Sequence, residues 1–320
     1  MIPAPRLCIL MGLYNGAAHL QEQLDSFADQ RFTDWDLIVS DDAPNHAPNE
    51  TQDDGPALVA AFAARHAPAG HKVTLIDGPK QGFAANFLSL LTRAPKTAAW
   101  LALSDQDDVW LGDHLARAVA VLAARPADRP ALYCSRTWVV SEDLQNRRLS
   151  RNFSRAPSFA NALVQNIASG NTTVLNRAAA DLLALAAARH TGPLPAHDWW
   201  IYQLITGAGG HVHFDTAPGL LYRQHDENVI GASGGWQARA LRLKMILKGQ
   251  FATWNGQNVA ALAQVADLLT PEHQADLAAF ADLRTRALPH RLLGLRRLGL
   301  YRQSRAAHLF MWFAAIIGKL

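Results

Sequence analysis

The sequence predicts an α/β fold, a Rossmann-like, mostly parallel sheet flanked by helices, followed by a helical C-terminal extension. Three observations lead there. Up to Trp110 short apolar runs alternate with stretches of helical period. Two of those runs end in acids, Asp41-Asp42 and Asp105-Gln106-Asp107-Asp108. Beyond about Trp236 only helical patterning remains.

Leu7 to Leu13 reads as a first buried strand, broken by Tyr14-Asn15-Gly16. His19 to Gln30 has helical spacing, with Leu20, Leu24 and Phe27 on one face. Trp35 to Ser40 is a second strand, and a Pro-, Asn- and Asp-rich loop runs from Ala43 to Gly55. A helix over Pro56–His66, a strand over Lys72–Ile76 and a helix over Phe83–Thr92 follow. Ala98 to Leu103 is the strand that feeds the second acidic cluster. Strand and helix in alternation build a parallel, doubly wound sheet. Further on, Ala131–Val140 reads as a strand and Arg147–Pro157 as a basic connection. Helices are expected over Arg177–Arg189 and Trp199–Thr206, then short strands over His211–Phe214 and Leu220–Tyr222. Gly207-Ala208-Gly209-Gly210 lacks dinucleotide spacing and a following lysine, so it reads as a helix stop. Helices after Trp236 break near Pro271 and Pro289, and Gly231-Ala232-Ser233-Gly234-Gly235 marks a boundary between units 1–231 and 232–320.

The 320 residues, 49% apolar and 18% charged, suffice for one large α/β unit with an appendage. A net charge of +3 is too modest to point to nucleic acid, and no nucleic-acid partner is expected. Cys8 and Cys134 provide neither a disulfide framework nor zinc spacing, which suits a reducing compartment. No basic segment with a signal-length apolar core opens the sequence, so a cytoplasmic location is expected. Leu309 to Gly318, the longest apolar run, is too short to span a bilayer.

The acids carry the chemistry. In open α/β sheets ligands bind beyond the carboxyl ends of strands, where both acidic groups fall. Three carboxylates within Asp105–Asp108 repel one another, and a hard divalent cation shared with phosphate oxygens holds them ionised. A polar turn with a helix cap is the other reading of the same triplet. Asp41-Asp42 suits either a base or ribose contact or an Asx turn. Asp198, between His197 and Trp199-Trp200, suits either a general base in a partly apolar wall or a helix N-cap. Arg223 is a candidate to neutralise phosphate charge, and His225 to bind metal or phosphate.

In order, these pieces resemble glycosyltransferase family 2 on the GT-A fold, and most closely its rhamnosyltransferase-like branch of bacterial surface polysaccharide synthesis. The resemblance rests on Gly12-Leu13-Tyr14-Asn15-Gly16, Leu20 with Glu22-Gln23-Leu24-Asp25-Ser26, and Trp35 through Asp41-Asp42. It continues through Gly78, Gly82, Asn86 and Phe87, then Ser104-Asp105-Gln106-Asp107-Asp108-Val109-Trp110 and Ser169-Gly170-Asn171-Thr172. His197-Asp198-Trp199-Trp200, Tyr222-Arg223-Gln224-His225, Asn228 and Gly231 complete it, over roughly residues 6–231. It implies inverting transfer from a nucleotide diphosphate sugar, a dTDP- or UDP-sugar and first of all dTDP-L-rhamnose, to a glycan or lipid-linked glycan. Asp198 matches the catalytic base. Asp105 and Asp107 match the Asp-x-Asp element that takes Mg²⁺ or Mn²⁺, with Asp107 the direct ligand, Asp105 nearer the ribose and His225 a further metal candidate. Asp41 matches the base or ribose contact. Tyr14, Asn15, Asn86, Gln106, Gly170, Asn171 and Arg223 fall in the nucleotide-sugar-binding set, with Trp110 and Trp199 as walls of the sugar pocket or as core aromatics. The sequence departs from the family at Ala43-Pro44-Asn45, where a Gly-Ser-Thr-Asp type turn is common.

After Asp282 there is no acid, whereas Arg284, Arg286, Arg291, Arg296, Arg297, Arg302, Arg305 and Lys319 follow among leucines. Such a tail either lies peripherally on the anionic inner face of a membrane or docks on the catalytic unit or in a homodimer. Two other functions fit strand-end acids: a non-catalytic sugar-nucleotide-binding relative and a nucleotidyltransferase. The latter needs a Gly-rich basic loop after the first strand, which Tyr14-Asn15-Gly16 does not provide.

Overall fold

Alternate residues of Leu7–Leu13 (β1) enter opposite cores, Leu7, Ile9, Met11 and Leu13 on one side and Cys8 and Leu10 on the other. A strand apolar on both faces belongs in the middle of a sheet covered on both sides. The computed structural model, which describes residues 6–43, 53–224, 245 and 247–320, has that arrangement.

The elements run α1 (Ala17–Ala28), β2 (Trp35–Asp41), α2 (Gly55–His66), β3 (Val73–Asp77), α3 (Phe83–Arg93), β4 (Trp100–Ser104), β5 (Val109–Trp110) and α4 (His114–Ala123). There follow β6 (Ala131–Val140), β7 (Arg148–Leu149), α5 (Phe159–Ala162), β8 (Val174–Asn176), α6 (Arg177–Arg189), α7 (His197–Gly207) and β9 (His211–Arg223). The sheet order is β3-β2-β1-β4-β8-β6-β9-β5, with β7 on β6. Strands β3, β2, β1 and β4 are mutually parallel. β8 then runs antiparallel between β4 and β6, β9 lies parallel to β6, and β5 closes the far edge antiparallel to β9. Apolar residues of α1, α2 and α4 fill one core, and those of α3, α6 and α7 the other.

Register decides where the acids go. Leu13 pairs with Asp41, Asp41 with Asp77, and Met11 with Ser104. The segments after β1, β2 and β4 therefore leave the sheet at one edge.

The sequence-based reading takes β9 as two short strands. It is one, because β6 continues alongside it through register shifts at Ser135, Arg136 and Thr137. The interruption at Pro218-Gly219 is local. A Cβ on Gly219 would lie 2.4 Å from Ser135 Oγ and 2.5 Å from His114 Nδ1, so this close approach requires glycine.

Among the described residues there follow α8 (Gln250–Ala263), α9 (Pro271–Leu283), α10 (Leu288–Arg297) and α11 (Arg305–Ile316). Pro271 and Pro289 sit in first turns, where a missing N–H costs nothing. Leu262, Phe280, Leu295, Met311 and Leu320 join the same apolar cluster as Trp200 and Leu204 of α7. Polar contacts add to this. Asn161 Nδ2 donates to Tyr301 O at 2.9 Å, and Gln303 N donates to Gln165 Oε1 at 2.8 Å. The expected boundary at 231/232 lies outside the described residues. No described helix is long and apolar enough to cross a membrane.

Candidate active site

Tyr14-Asn15-Gly16 turns the chain from β1 into α1, and Gln106 fixes that turn. The Tyr14 N–H donates to Gln106 Oε1 at 2.7 Å, and Gln106 Nε2 donates to Tyr14 O at 3.0 Å. The amide crosses over Gly16, where a Cβ would lie 2.3 Å from Gln106 Cδ. Asn15 takes a left-handed φ of 46°, which asparagine tolerates better than most residues. Gln106 thus holds backbone, while the Tyr14 ring is left 55% exposed.

The two acids ending β2 have different surroundings. Asp42 is buried, and its carboxylate accepts the Lys80 N–H at 2.5 Å and the Gly82 N–H at 2.8 Å, fixing the turn before α3. Asp41 is part-exposed and accepts from the Ala43 N–H at 3.0 Å. Burial pushes its pKa up, with Asp53, Asp77 and Asp42 adding repulsion and the Ala43 bond opposing. Asn86 is buried in α3 and donates through Nδ2 to Ser40 O at 2.9 Å, tying α3 to the end of β2. Its Oδ1 and the Ser40 hydroxyl have no partner among the described residues.

The acidic segment after β4 divides the same way. Asp108 is fully buried and accepts from Asn171 Nδ2 at 2.6 Å and from the Arg223 N–H at 3.2 Å. Its own N–H donates to Gln23 Oε1 at 3.1 Å. Burial, with Asp107 and Asp105 close by, raises its pKa well above the carboxylate range. Asp105 and Asp107 remain part-exposed. Burial pushes Asp105 up to about 7, with Asp107 and then Asp198 contributing repulsion. The guanidinium of Arg223 is buried among protein partners: Nε donates to Asp107 O at 3.0 Å, and the Nη atoms reach Glu142 O and the Glu22 carboxylate. It clamps the acidic segment to α1 and to the end of β6.

Asp198 reaches the same edge from the opposite wall. It is the second residue of α7, not its cap, which is Ala196. Asp198 Oδ2 accepts the Gly170 N–H at 3.2 Å and Oδ1 the Trp199 N–H at 2.7 Å. Burial raises its pKa to about 6, against these amides and a bond from the Asn166 side chain. A Cβ on Gly170 would lie 2.8 Å from His197 Nε2, so the turn approaches α7 this closely only as glycine. His197 is buried and stacks on Phe87 at 4.0 Å, which steadies the start of α7.

The structure therefore brings together Tyr14, Asn15, Asp41, Asn86, Asp105, Gln106, Asp107, Gly170, Asn171 and Asp198 along one edge. The two tryptophans lie deeper. Trp110 is core, edge-on to Phe27 at 4.8 Å and to His114 at 4.9 Å. Trp199 is buried and donates its indole N–H to Ala162 O at 2.7 Å. His225 lies outside the described residues. Sequence reasoning missed Asn166, which sits in an irregular stretch where no period or motif marks it.

Among the described residues no three His, Cys, Asp or Glu side chains are grouped to hold an ion. A pair, Asp105 and Asp107, is what a nucleotide-bound Mg²⁺ or Mn²⁺ takes, with phosphate oxygens and water filling the shell. The mutual repulsion of Asp105, Asp107 and Asp198 fits a cation at this edge.

Residues 8–181, more than half the chain, match the sequence profile of glycosyl transferase family 2, and the chain belongs to that family. It is 22% identical over 244 residues to the dTDP-rhamnosyl transferase RfbG of Shigella flexneri, covering 74% of this chain and 78% of that protein. The fold is similar to S. aureus TarS 1-349 solved in complex with UDP-GlcNAc, with a TM-score of 0.53, 13% identity, and 98% and 90% of the two chains covered. The chain is a nucleotide-sugar glycosyltransferase of GT-A fold.

Proposed function

We propose that the chain is an inverting, metal-dependent transferase that moves L-rhamnose from dTDP-L-rhamnose to a hydroxyl of a glycan or lipid-linked glycan acceptor. The observation that carries this is Asp198: a part-exposed carboxylate, gripped by two backbone amides and raised to about 6, facing Asp105 across the strand-end edge. The similarity to RfbG supports the donor. Residues 1–231 are the catalytic unit in this reading, and 232–320 a helical region.

Asp198 takes the proton of the acceptor hydroxyl as that oxygen attacks the anomeric carbon. The new carbon–oxygen bond forms as the bond to the diphosphate oxygen breaks, and dTDP leaves with the bonding pair. One displacement without a covalent intermediate inverts the anomeric centre. Asp105 and Asp107 would hold Mg²⁺ or Mn²⁺, which supplies charge stabilisation for the diphosphate. Asp41 contacts the base or ribose, and Tyr14, Asn15 and Gly170 border the donor. Asp42, Asp108, Asn86, Gln106, Asn171 and Arg223 keep that edge in place.

Incubating the protein with dTDP-L-rhamnose and Mn²⁺, and following the anomeric proton by NMR, tests the reading. Release of dTDP with a sugar of inverted configuration, on acceptor or on water, is expected. A retained configuration, or release of pyrophosphate as in nucleotidyl transfer, would contradict it.

A further inference from the structure

We propose that the outer faces of α10 and α11 form a docking surface for an anionic lipid bilayer. Met311, Ala314 and Ala315 turn one side of α11 into the core. On the other side Leu309, Phe313, Ile316 and Ile317 are 69%, 37%, 50% and 36% exposed. Their spacing of four, three and one residues places them in one stripe along the helix. On α10, Leu295 is buried while Leu288 and Leu293 stand out. The two helices are bound together, since Arg291 Nη1 of α10 donates to Ala315 O of α11 at 2.7 Å. Lys319 lies 3.6 Å from where a Cβ on Gly249 would sit, which brings exposed Leu247 and Lys248 to the same end of α11.

Charge selects the occupant. From Leu283 to Leu320 there are seven arginines and one lysine and no acid. Arg296, Arg297, Arg305 and Lys319 are exposed, and none makes an ion pair among the described residues. A second copy of this surface would set arginine against arginine with no carboxylate between them, which opposes self-association through it. Lipid phosphates provide the complementary charge, and acyl chains take the leucine, phenylalanine and isoleucine side chains. Twelve residues of helix span about 18 Å, so α11 lies along the interface and does not cross it. This deepens the proposed function by giving the acceptor side a lipid surface. Its test uses no sugar donor, so its failure is distinguishable from failure of the catalytic reading.

The experiment is flotation of the full chain with vesicles of phosphatidylcholine alone and of phosphatidylcholine mixed with phosphatidylglycerol. Deleting 290–320 would strip Leu295, Leu300, Met311 and Leu320 from the core, so substitutions on the exposed side are the better change. The protein should float with the anionic vesicles, less so as salt rises. Leu309→Ser/Phe313→Ser/Ile316→Ser and Arg296→Glu/Arg297→Glu/Arg305→Glu should each weaken binding by about tenfold or more. Unchanged thermal unfolding shows that the variants are folded. No flotation with either vesicle, or equal flotation of wild type and both variants, would overturn the proposal. A dimer seen by sedimentation that only the serine variant dissociates, without vesicle binding, would instead make this face a contact between copies.

Discussion

The ends of β2 and β4 are two acidic strand ends at one edge of one sheet, and each divides its carboxylates between a buried, hydrogen-bonded one and part-exposed ones. At β2, Asp42 is buried and accepts two backbone amides, while Asp41 stays part-exposed. At β4, Asp108 is buried and bonded to Asn171 and to Arg223, while Asp105 and Asp107 stay part-exposed. The difference between the two ends is neighbourhood. Asp105 is raised to about 7 by burial with repulsion from Asp107 and Asp198, whereas Asp41 is raised by burial with repulsion from Asp53, Asp77 and Asp42. Acids side by side in sequence thus meet different surroundings according to which side of the edge they face.

The comparison can be broken by exchanging the expected phenotypes. The largest effect is expected at Asp198: Asp198→Asn should lower turnover by roughly a hundredfold to ten-thousandfold, the range of general-base loss. Thermal unfolding of that variant at pH 8 should be unchanged or higher, because the substitution removes a charge the fold disfavours. The sign follows from the raised pKa. Between the ordinary carboxylate value and about 6 the native state holds the extra proton, so this group's contribution to stability falls as pH rises through that window. Activity runs the other way. It should rise with pH through an apparent pKa near 6 as Asp198 loses its proton, and a pH–rate profile lacking that limb would detach Asp198 from the rate.

Next in size is Asp107→Ala, which should abolish the dependence of dTDP affinity on Mn²⁺ in calorimetry while the fold stays intact. Metal-dependent binding that survives would move the cation elsewhere. Asp108→Asn should behave oppositely to both. The new amide meets the Asn171 amide, whose own oxygen already accepts from Ser169 Oγ, so a buried group loses its partner. A loss of about 1–3 kcal/mol in denaturant unfolding is expected. The smallest effect belongs to Asp41→Ala, a severalfold rise in KM for the donor with little change in kcat, because uniform binding is lost. If Asp41→Ala unfolds the protein and Asp42→Ala only weakens donor binding, the division at β2 is reversed.

Much of this was legible in the sequence. The bounds of β1, β6 and α6 follow from apolar runs and helical period, because each packs as its own pattern demands. The acids at the ends of β2 and β4 are visible because strand ends and carboxylates are local features. The division of labour among them is not, since it depends on which carboxylate meets Lys80, Gly82, Asn171 or Arg223 after folding. Arg223 shows the limit. From sequence it reads as a phosphate ligand, yet its guanidinium meets Glu22, 201 residues away, and two carbonyl oxygens. Gln106 reads as part of a donor-binding motif, and its amide holds the Tyr14 backbone. Helix α4 and strands β5 and β8 escaped the sequence reading, the strands because two or three residues carry no period. The basic tail left docking and membrane contact open, and α11 has one face in the core and another in solvent.

The most direct test of the central claim measures two quantities on Asp198→Asn beside the wild type: dTDP affinity with Mn²⁺, and the rate of dTDP release from dTDP-L-rhamnose. Wild-type affinity with transfer reduced at least a hundredfold is the predicted result. Transfer at the wild-type rate would show that Asp198, for all its placement, is not the base.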